Sequence, residues 1–485
     1  MPSPISFGTD GWRAVIAEEY TFDNLARVAQ ATARWLDDTH SAGSDGAPTT
    51  VALGYDARFL GRRFAKHAAR AMAASSSDGG VERLLVSESV TPTPAVSWAT
   101  EALGADAGVV ITASHNPPEY NGYKIKAPFG GSAPPAQIAE VEKRIPDAAP
   151  SDLPPFDALV DEGRAEMRDL AGGYLDALRK QLDLEAIREA SVRVGHDAMF
   201  GASQGLLRRL LGDDQVVELH AEDNPGFEGT PPEPIARYLG DFLEMVPREG
   251  CDVGIANDGD GDRIGMVDES GRFVTPHEIM ALLVKYLHEE RGRSGRIAKT
   301  FAATHMLDAM ADHYGLPMEV EPIGFKHLAP KLVGSDGGPD VLVCGEESGG
   351  IAAGGYLPER DGIYIGLLVV EMMTKRRKPL SALVAELHEA FGPHHYYRDD
   401  IRTTDAQKQK VLGRLDDEGG LREVDGHPVA ELDTLDGVKH IAEDGRWVLV
   451  RPSGTEPVLR VYAEAPTPDE ARALVEDAAG QLGLS

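Results

Sequence analysis

Gly108-Val109-Val110-Ile111-Thr112-Ala113-Ser114-His115-Asn116-Pro117-Pro118 is the stretch from which the fold of this chain is best read. Four unbroken apolar residues read as a buried strand, and the proline pair stops regular structure soon after. Between them a hydroxyl nucleophile sits beside an imidazole, with Lys124 nearby. A serine at a strand end is placed to carry a covalent group. On these residues alone, a plain polar turn closing the strand is an equal alternative.

Outward from this strand, strand-like and helix-like runs alternate. Val51–Gly54 and Leu84–Val86 read as strands, and Arg62–Ala74 and Ala95–Leu103 as helices. A second α/β unit follows: Val192–Gly195, Gly201–Leu211 (helix), Val216–Leu219, Glu233–Val246 (helix) and Asp252–Ala256. A third contains helices at Glu278–Glu289 and Met306–Tyr314 and strands at Ile297–Phe301, Met318–Glu321 and Val341–Cys344. Three such blocks imply mostly parallel sheets covered by helices, with functional loops at strand ends. Beyond Gly392-Pro393 the strands become consecutive. Tyr396–Arg402, a hairpin of Val438–Glu443 and Trp447–Val450, and Leu459–Glu464 suggest a small antiparallel sheet with helices at Asp405–Leu415 and Asp469–Leu482. The expected fold is α/β: three successive mixed α/β domains (1–155, 156–272 and 273–392) and a C-terminal α+β domain (393–485). The first boundary is placed in the Pro-rich stretch around Pro146, Pro150, Pro154 and Pro155. Ser41–Thr50 and Ala73–Gly80 read as flexible surface loops.

Three further loops carry chemistry. Residues 258–263 read Asp-Gly-Asp-Gly-Asp-Arg after the apolar run 251–256. Three carboxylates at alternate positions fold around one hard cation, Mg²⁺ or Ca²⁺. An EF-hand is discounted, because Arg263 stands where that loop requires glycine and the flanks read as strands. Residues 345–350, Gly-Glu-Glu-Ser-Gly-Gly, offer carboxylates and a hydroxyl suited to sugar hydroxyls. Residues 451–457, Arg-Pro-Ser-Gly-Thr-Glu-Pro, offer a guanidinium, two hydroxyls and free N–H groups, a phosphate cradle.

In this order the four loops resemble those of the α-D-phosphohexomutase family. Phe7-Gly8-Thr9-Asp10-Gly11-Trp12-Arg13, Gly54-Tyr55-Asp56-Ala57-Arg58, Thr91-Pro92-Thr93-Pro94, Gly324-Phe325-Lys326 and Arg360-Asp361-Gly362-Ile363 add to the match, which runs from residue 7 to residue 462. The resemblance implies four domains around a central cleft. It implies a phosphoryl group moved between the 1- and 6-positions of a hexose through phospho-Ser114 and a hexose 1,6-bisphosphate, with Mg²⁺ held by Asp258, Asp260, Asp262 and an oxygen on Ser114. His115 and Lys326 are the candidates for proton transfer. Arg13, Asn116, Lys124, Arg263, Gly324, Glu346, Ser348, Arg451, Ser453, Gly454, Thr455 and Arg460 are the expected substrate contacts. Glu347 and the whole sugar loop look like the glucomutase version. The glucosamine version usually has Gln at 347, and dual glucose/mannose mutases often have His at 350. Phosphoglucomutase is therefore the first reading, with phosphomannomutase and phosphoglucosamine mutase as alternatives. A phosphosugar-binding protein without catalysis and a metal-dependent phosphatase are the alternatives of a different class.

Composition sets the remaining bounds. At 485 residues the chain is too long for one core. Its formal charge of −31 argues against nucleic-acid or anionic-membrane partners, so sugar phosphates must meet locally concentrated cations. An acidic surface of this size would be screened in high salt, which suggests a halophilic source. No apolar stretch reaches the ~20 residues of a membrane span, and residues 1–4 show no signal-peptide pattern. Cys251 and Cys344, read as buried strand residues, suit a reducing cytoplasm. His394 and His395 read as linker, without metal-ligand spacing. Oligomeric state is not legible.

Overall fold

The apolar run at 108–111 is part of the centre of the first sheet. In this computed structural model, which describes residues 5–8, 10–40, 48–74, 81–338, 340–417, 420–452 and 458–484, the first domain contains β1 (Trp12–Val15), β2 (Thr50–Tyr55), β3 (Arg83–Ser87), β4 (Ala107–Ile111), β5 (Tyr120–Lys126) and β6 (Ala165–Arg168). Their order is β1-β5-β4-β2-β3-β6. Both β2 and β4 are buried at every residue, because helices cover both faces. Val51 and Leu53 face the helices Phe22–His40 and Gly61–Ala74, while Ala52 lies in a separate cluster with Ala99 of the helix Thr93–Ala102.

The second domain carries β7 (Val194–Asp197), β8 (Val216–Leu219), β9 (Val253–Asn257), β10 (Ile264–Asp268) and β11 (Phe273–Val274) in the order β11-β10-β9-β7-β8. The third carries β12 (Arg296–Thr300), β13 (Met318–Glu321), β14 (Val341–Gly345) and β15 (Ile351–Ala353) in the order β13-β12-β14-β15. The last holds β16 (His395–Arg402), β17 (Glu423–Val424), β18 (His427–Asp433), β19 (Val438–Ala442), β20 (Trp447–Pro452) and β21 (Val458–Ala465) in one antiparallel sheet, packed by the helix Pro468–Gln481. One continuous apolar core spans the second and third domains. The helix Gly362–Arg376 is buried from Gly362 to Met373 within it, which explains its unbroken apolar sequence. Its one buried acid, Glu371, accepts from Tyr286 and Arg291.

Several expectations change. The first three sheets are parallel at their centres and antiparallel at one edge: β4 pairs antiparallel with β5, β9 with β10 and β14 with β15. Pro117-Pro118 does not end regular structure for long; it turns the chain into β5. Beyond residue 155, β6 pairs in parallel with β3, and Phe156, Leu159 and Ala165 join the core of the first sheet. The second-block helices are shorter than expected. One spans only Leu206–Leu211, and the other starts at Gly240, after a separate 3-10 turn at Ala236–Tyr238. Cys344 lies in β14, whereas Cys251 is buried just ahead of β9. The expected loops at 41–50 and 73–80 fall largely outside the described residues.

Candidate active site

Antiparallel edges decide where the loops go. In each of the first three sheets an antiparallel strand returns beside the strand that delivered the loop, so each functional loop is pinned at both ends. The serine loop joins β4 to β5, the acidic loop 258–263 joins β9 to β10, and the sugar loop 346–350 joins β14 to β15. The three meet. Ser114 Oγ donates to Asp258 Oδ2 at 2.8 Å. Thr93 donates its N–H to the Asp260 carbonyl at 2.8 Å and its hydroxyl to Asp260 Oδ2 at 2.5 Å. Ile264 N–H reaches the Gly349 carbonyl at 3.0 Å. Gly259 allows the closest approach: a Cβ there would stand 2.5 Å from the Ser114 carbonyl oxygen.

Asp258, Asp260 and Asp262 are fully buried, and each offers an oxygen within 4.8 Å of the others. Asp258 Oδ1 accepts the N–H groups of Asp262 and Arg263. Lys124 Nζ donates to Asp260 Oδ2 at 2.8 Å and Asp262 Oδ2 at 3.1 Å. Asp260 Oδ1 and Asp262 Oδ1 are buried with no hydrogen-bond partner. Two orphaned carboxylate oxygens beside a third carboxylate are the donor set of a hard dication. Burial and the charges of Asp260 and Asp262 push the Asp258 carboxyl well above its ordinary range. These residues fit Mg²⁺, and the alternate spacing read from the sequence is a hairpin loop, not an EF-hand.

Cations crowd the same point. Arg13 Nη1 donates to Asn116 Oδ1 at 2.7 Å. Lys124 also pairs with Asp10 at 2.7 Å. Arg263 lies 3.7 Å from Glu233, and its Nε is buried without a partner. His115 Nδ1 is 3.5 Å from Ser114 Oγ. Burial, then Arg263, Arg13, Lys124 and Arg58, hold the imidazole well below its usual pKa, so it is neutral. In the sugar loop Glu346 is buried and Ser348 half-buried. Glu347 accepts from Thr300 at 3.1 Å. Lys326 is half-buried on the turn Phe325–His327, which follows Gly324 at φ 129°.

Two residues quoted only as parts of motifs prove central. Arg360 is 3% exposed and bonds Asp262 Oδ2 at 2.6 Å and Asp10 Oδ2 at 2.8 Å. It reaches Glu346 at 3.4 Å and lies over the Phe325 ring at 5.1 Å. It thus joins loops of three domains. Asp10 is the shared acceptor of Arg13, Lys124 and Arg360. Only their repeated presence in family-like motifs signalled them, since pairings over such separations leave no mark in the sequence.

The phosphate loop is described only in part: Ser453, Gly454 and Thr455 lie outside the described residues. Arg451 and Arg460 are cross-strand neighbours on β20 and β21. Asp436 holds Arg451 at 2.9 Å and also accepts the N–H of Ile323 at 2.8 Å, tying the last domain to the chain just before Gly324. Arg460 lies 3.7 Å from Asp400. His394, read as linker, instead contacts the buried Glu464 at 2.9 Å.

Comparison with known proteins supports the geometry. The family models for phosphoglucomutase/phosphomannomutase match in order: α/β/α domain I over residues 4–151, domain II over 172–271, domain III over 275–391 and the C-terminal domain over 401–481. A phosphoglucomutase/phosphomannomutase of Thermococcus kodakarensis is 32% identical, covering 97% of this chain and 96% of its own. A Methanothermobacter thermautotrophicus protein named for phosphoglucosamine mutase activity is 30% identical, covering 99% and 98%. The crystal structure of a Thermus thermophilus protein named as a phosphomannomutase superposes with a TM-score of 0.85 at 34% identity over the whole of both chains. With all four domains matched in order and three of their loops closing on one serine and one acidic triad, this chain belongs to the phosphoglucomutase/phosphomannomutase family of mutases.

Proposed function

We propose that this mutase interconverts glucose 1-phosphate and glucose 6-phosphate through phospho-Ser114 and glucose 1,6-bisphosphate. The observation that carries the reading is the 2.8 Å contact of Ser114 Oγ with Asp258, inside a triad that keeps two carboxylate oxygens free. A nucleophile is thereby placed against a dication site. Asp258, Asp260 and Asp262, with an oxygen on Ser114, would hold Mg²⁺. Bound there, the metal supplies neutralisation of the phosphoryl oxygens.

In one half-reaction a free sugar hydroxyl attacks phosphorus and the P–Oγ bond of phospho-Ser114 breaks. The bisphosphate then turns over, Oγ attacks its other phosphate, and the second sugar oxygen leaves. His115 is assigned the proton at Oγ. With Oγ free the imidazole is neutral and able to accept it. Beside a phosphate dianion the protonated form is favoured, so the proton returns to Oγ as the P–Oγ bond breaks. Lys326 is assigned the proton at the sugar hydroxyl, on the turn that flanks Arg360. Arg13, Asn116, Lys124 and Arg263 orient the reacting phosphoryl group, and Gly324 lets the Lys326 turn approach. Glu346 and Ser348 receive the sugar hydroxyls. Arg451, Ser453, Gly454, Thr455 and Arg460 hold the phosphate that is not reacting. The paired strand positions of Arg451 and Arg460 support that role.

Glucose is the first choice of sugar because of Glu347 and the glycine at 350. The names of the relatives divide among glucose, mannose and glucosamine. The test is product analysis with Mg²⁺ and a trace of glucose 1,6-bisphosphate on the 1-phosphates of glucose, mannose and glucosamine. Fastest conversion of glucose 1-phosphate to the 6-phosphate supports the reading, and preference for another sugar replaces it. Release of inorganic phosphate would indicate a phosphatase, and no product a binding protein.

A further inference from the structure

Ser114 has an unusual backbone. Its φ is 53°, in the left-handed region that a serine rarely enters. Such a conformation persists only where its surroundings over-determine it. Here they belong to a motif to which no chemical role has yet been attached, Gly54-Tyr55-Asp56-Ala57-Arg58.

The Arg58 side chain is fully buried and turned under the serine loop. Nη2 donates to the Ser114 carbonyl at 2.7 Å and to that of Asn116, and Nη1 to the carbonyls of Pro117 at 2.8 Å and Tyr120 at 3.0 Å. One guanidinium thus gathers four carbonyls of the turn that carries the nucleophile. Asp56 completes the frame: one oxygen accepts the Arg58 N–H at 3.0 Å, and the other accepts the Thr112 hydroxyl at 2.6 Å. The same Thr112 oxygen accepts the Ser114 N–H at 2.8 Å. The amide and the carbonyl of Ser114 are therefore both fixed by one buried Asp56–Arg58 unit. From the second domain, Phe227 lays its ring 5.0 Å from the guanidinium carbon. Phe227 is 1% exposed.

We infer that Asp56, Arg58 and Thr112 are positioning residues that hold Ser114 in the left-handed conformation aiming Oγ at the acidic triad. None of them touches substrate; they act through the serine backbone. The inference rests on the reading of Ser114 as phosphoryl carrier. A relaxed turn would swing Oγ away from the reacting phosphorus, and misplacement by about 1 Å costs on the order of a hundredfold in rate.

The test starts from protein first dephosphorylated at Ser114 and follows its phosphorylation by glucose 1,6-bisphosphate over time, by intact mass, in wild type, Arg58→Lys, Thr112→Val and Thr112→Ser. Arg58→Lys keeps the charge but cannot gather four carbonyls. Thr112→Val keeps the shape but loses the oxygen, and Thr112→Ser restores it. The expected result is a rate lowered on the order of a hundredfold in Arg58→Lys and at least about tenfold in Thr112→Val, near-wild-type labelling in Thr112→Ser, and full final labelling in all. KM for glucose 1-phosphate should move less than about threefold while kcat falls with the labelling rate. A merely structural role would lower the fraction of chains that label, not the rate. Wild-type rates in both Arg58→Lys and Thr112→Val, or a lowered labelled fraction at unchanged rate, overturn the inference. A wild type that never labels removes Ser114 as carrier, and this inference with it.

Discussion

Gly350→Ala is the most informative substitution in the sugar loop. Gly350 is not in the left-handed region, so alanine brings no backbone strain. Its Cβ would stand 2.5 Å from Arg360 Cδ and 3.2 Å from Glu346 Oε2. Carbon–carbon contact needs roughly 3.5–4.0 Å, so the arginine stem must retreat by about 1 Å. Arg360 is buried and held at its tip by Asp10 and Asp262, which leaves the retreat to be taken up at those bonds. Losing one charge-assisted bond costs about 1.5–3 kcal/mol, and the two carboxylates keep Lys124 as partner. The expected loss is therefore roughly ten- to a hundredfold in kcat/KM for glucose 1-phosphate, measured by coupled formation of glucose 6-phosphate. Because the effect runs through Arg360, Gly350→Ala added to Arg360→Lys should cost much less than it does alone. Wild-type kcat/KM in Gly350→Ala, or full additivity with Arg360→Lys, would refute the reasoning. A histidine at 350 would need the same space, so Gly350→His should be worse still.

Further outcomes can be checked on the same assay. Ser114→Ala should lose nearly all turnover and the single phosphate that intact mass should show on the wild type; an active variant would end the covalent mechanism. Exhaustive chelation should abolish activity and Mg²⁺ restore it, whereas Asp260→Ala should not be rescued. Burial, with Glu347 adding and Arg360 opposing, pushes the Glu346 carboxyl up to about 7. Below that pH it is protonated and loses its charge and one of its two acceptor oxygens, so kcat/KM should fall on an acid limb centred near 7 that is absent in Glu346→Gln. The sign for stability is opposite: the unfolded chain ionises this group first, so its contribution falls as pH rises from the ordinary carboxylate range to about 7, and the wild-type minus Glu346→Gln difference in melting temperature should shrink over that window. Arg451→Ala should lower kcat/KM by about ten- to a hundredfold and release glucose 1,6-bisphosphate, because its loop must recapture the second phosphate.

What the sequence showed was whatever is written in neighbouring residues. The strand at 107–111, the acidic loop between two strands and the antiparallel hairpin around Asp444-Gly445 all follow from local pattern. The structure adds pairings across hundreds of residues. Asp10 meets Arg360, and Thr93 meets Asp260; neither separation leaves a local signature. The antiparallel edges were missed for a related reason. An apolar strand buried between helix layers looks the same whether its neighbour runs with it or against it. The helix expected from Glu233 starts only at Gly240, because the chain first makes a separate 3-10 turn at Ala236–Tyr238 that apolar spacing does not distinguish from helix.

The same long-range pairings answer the question posed by the net charge of −31. Around the reacting serine Arg13, Lys124 and Arg360 converge on Asp10, and Lys124 and Arg360 also pair with carboxylates of the triad. Cations are thus concentrated at the site whatever the outer surface carries, and the low-dielectric burial of the triad shields it from that surface. A phosphoryl group on Ser114 adds about two negative charges at neutral pH. A dication held by the free oxygens of Asp260 and Asp262 would offset them. Burial and the charges of Asp260 and Asp262 raise the Asp258 carboxyl, while Lys124 and Arg360 pair with the other two; a dication at the two unpartnered oxygens would relieve the repulsion that remains.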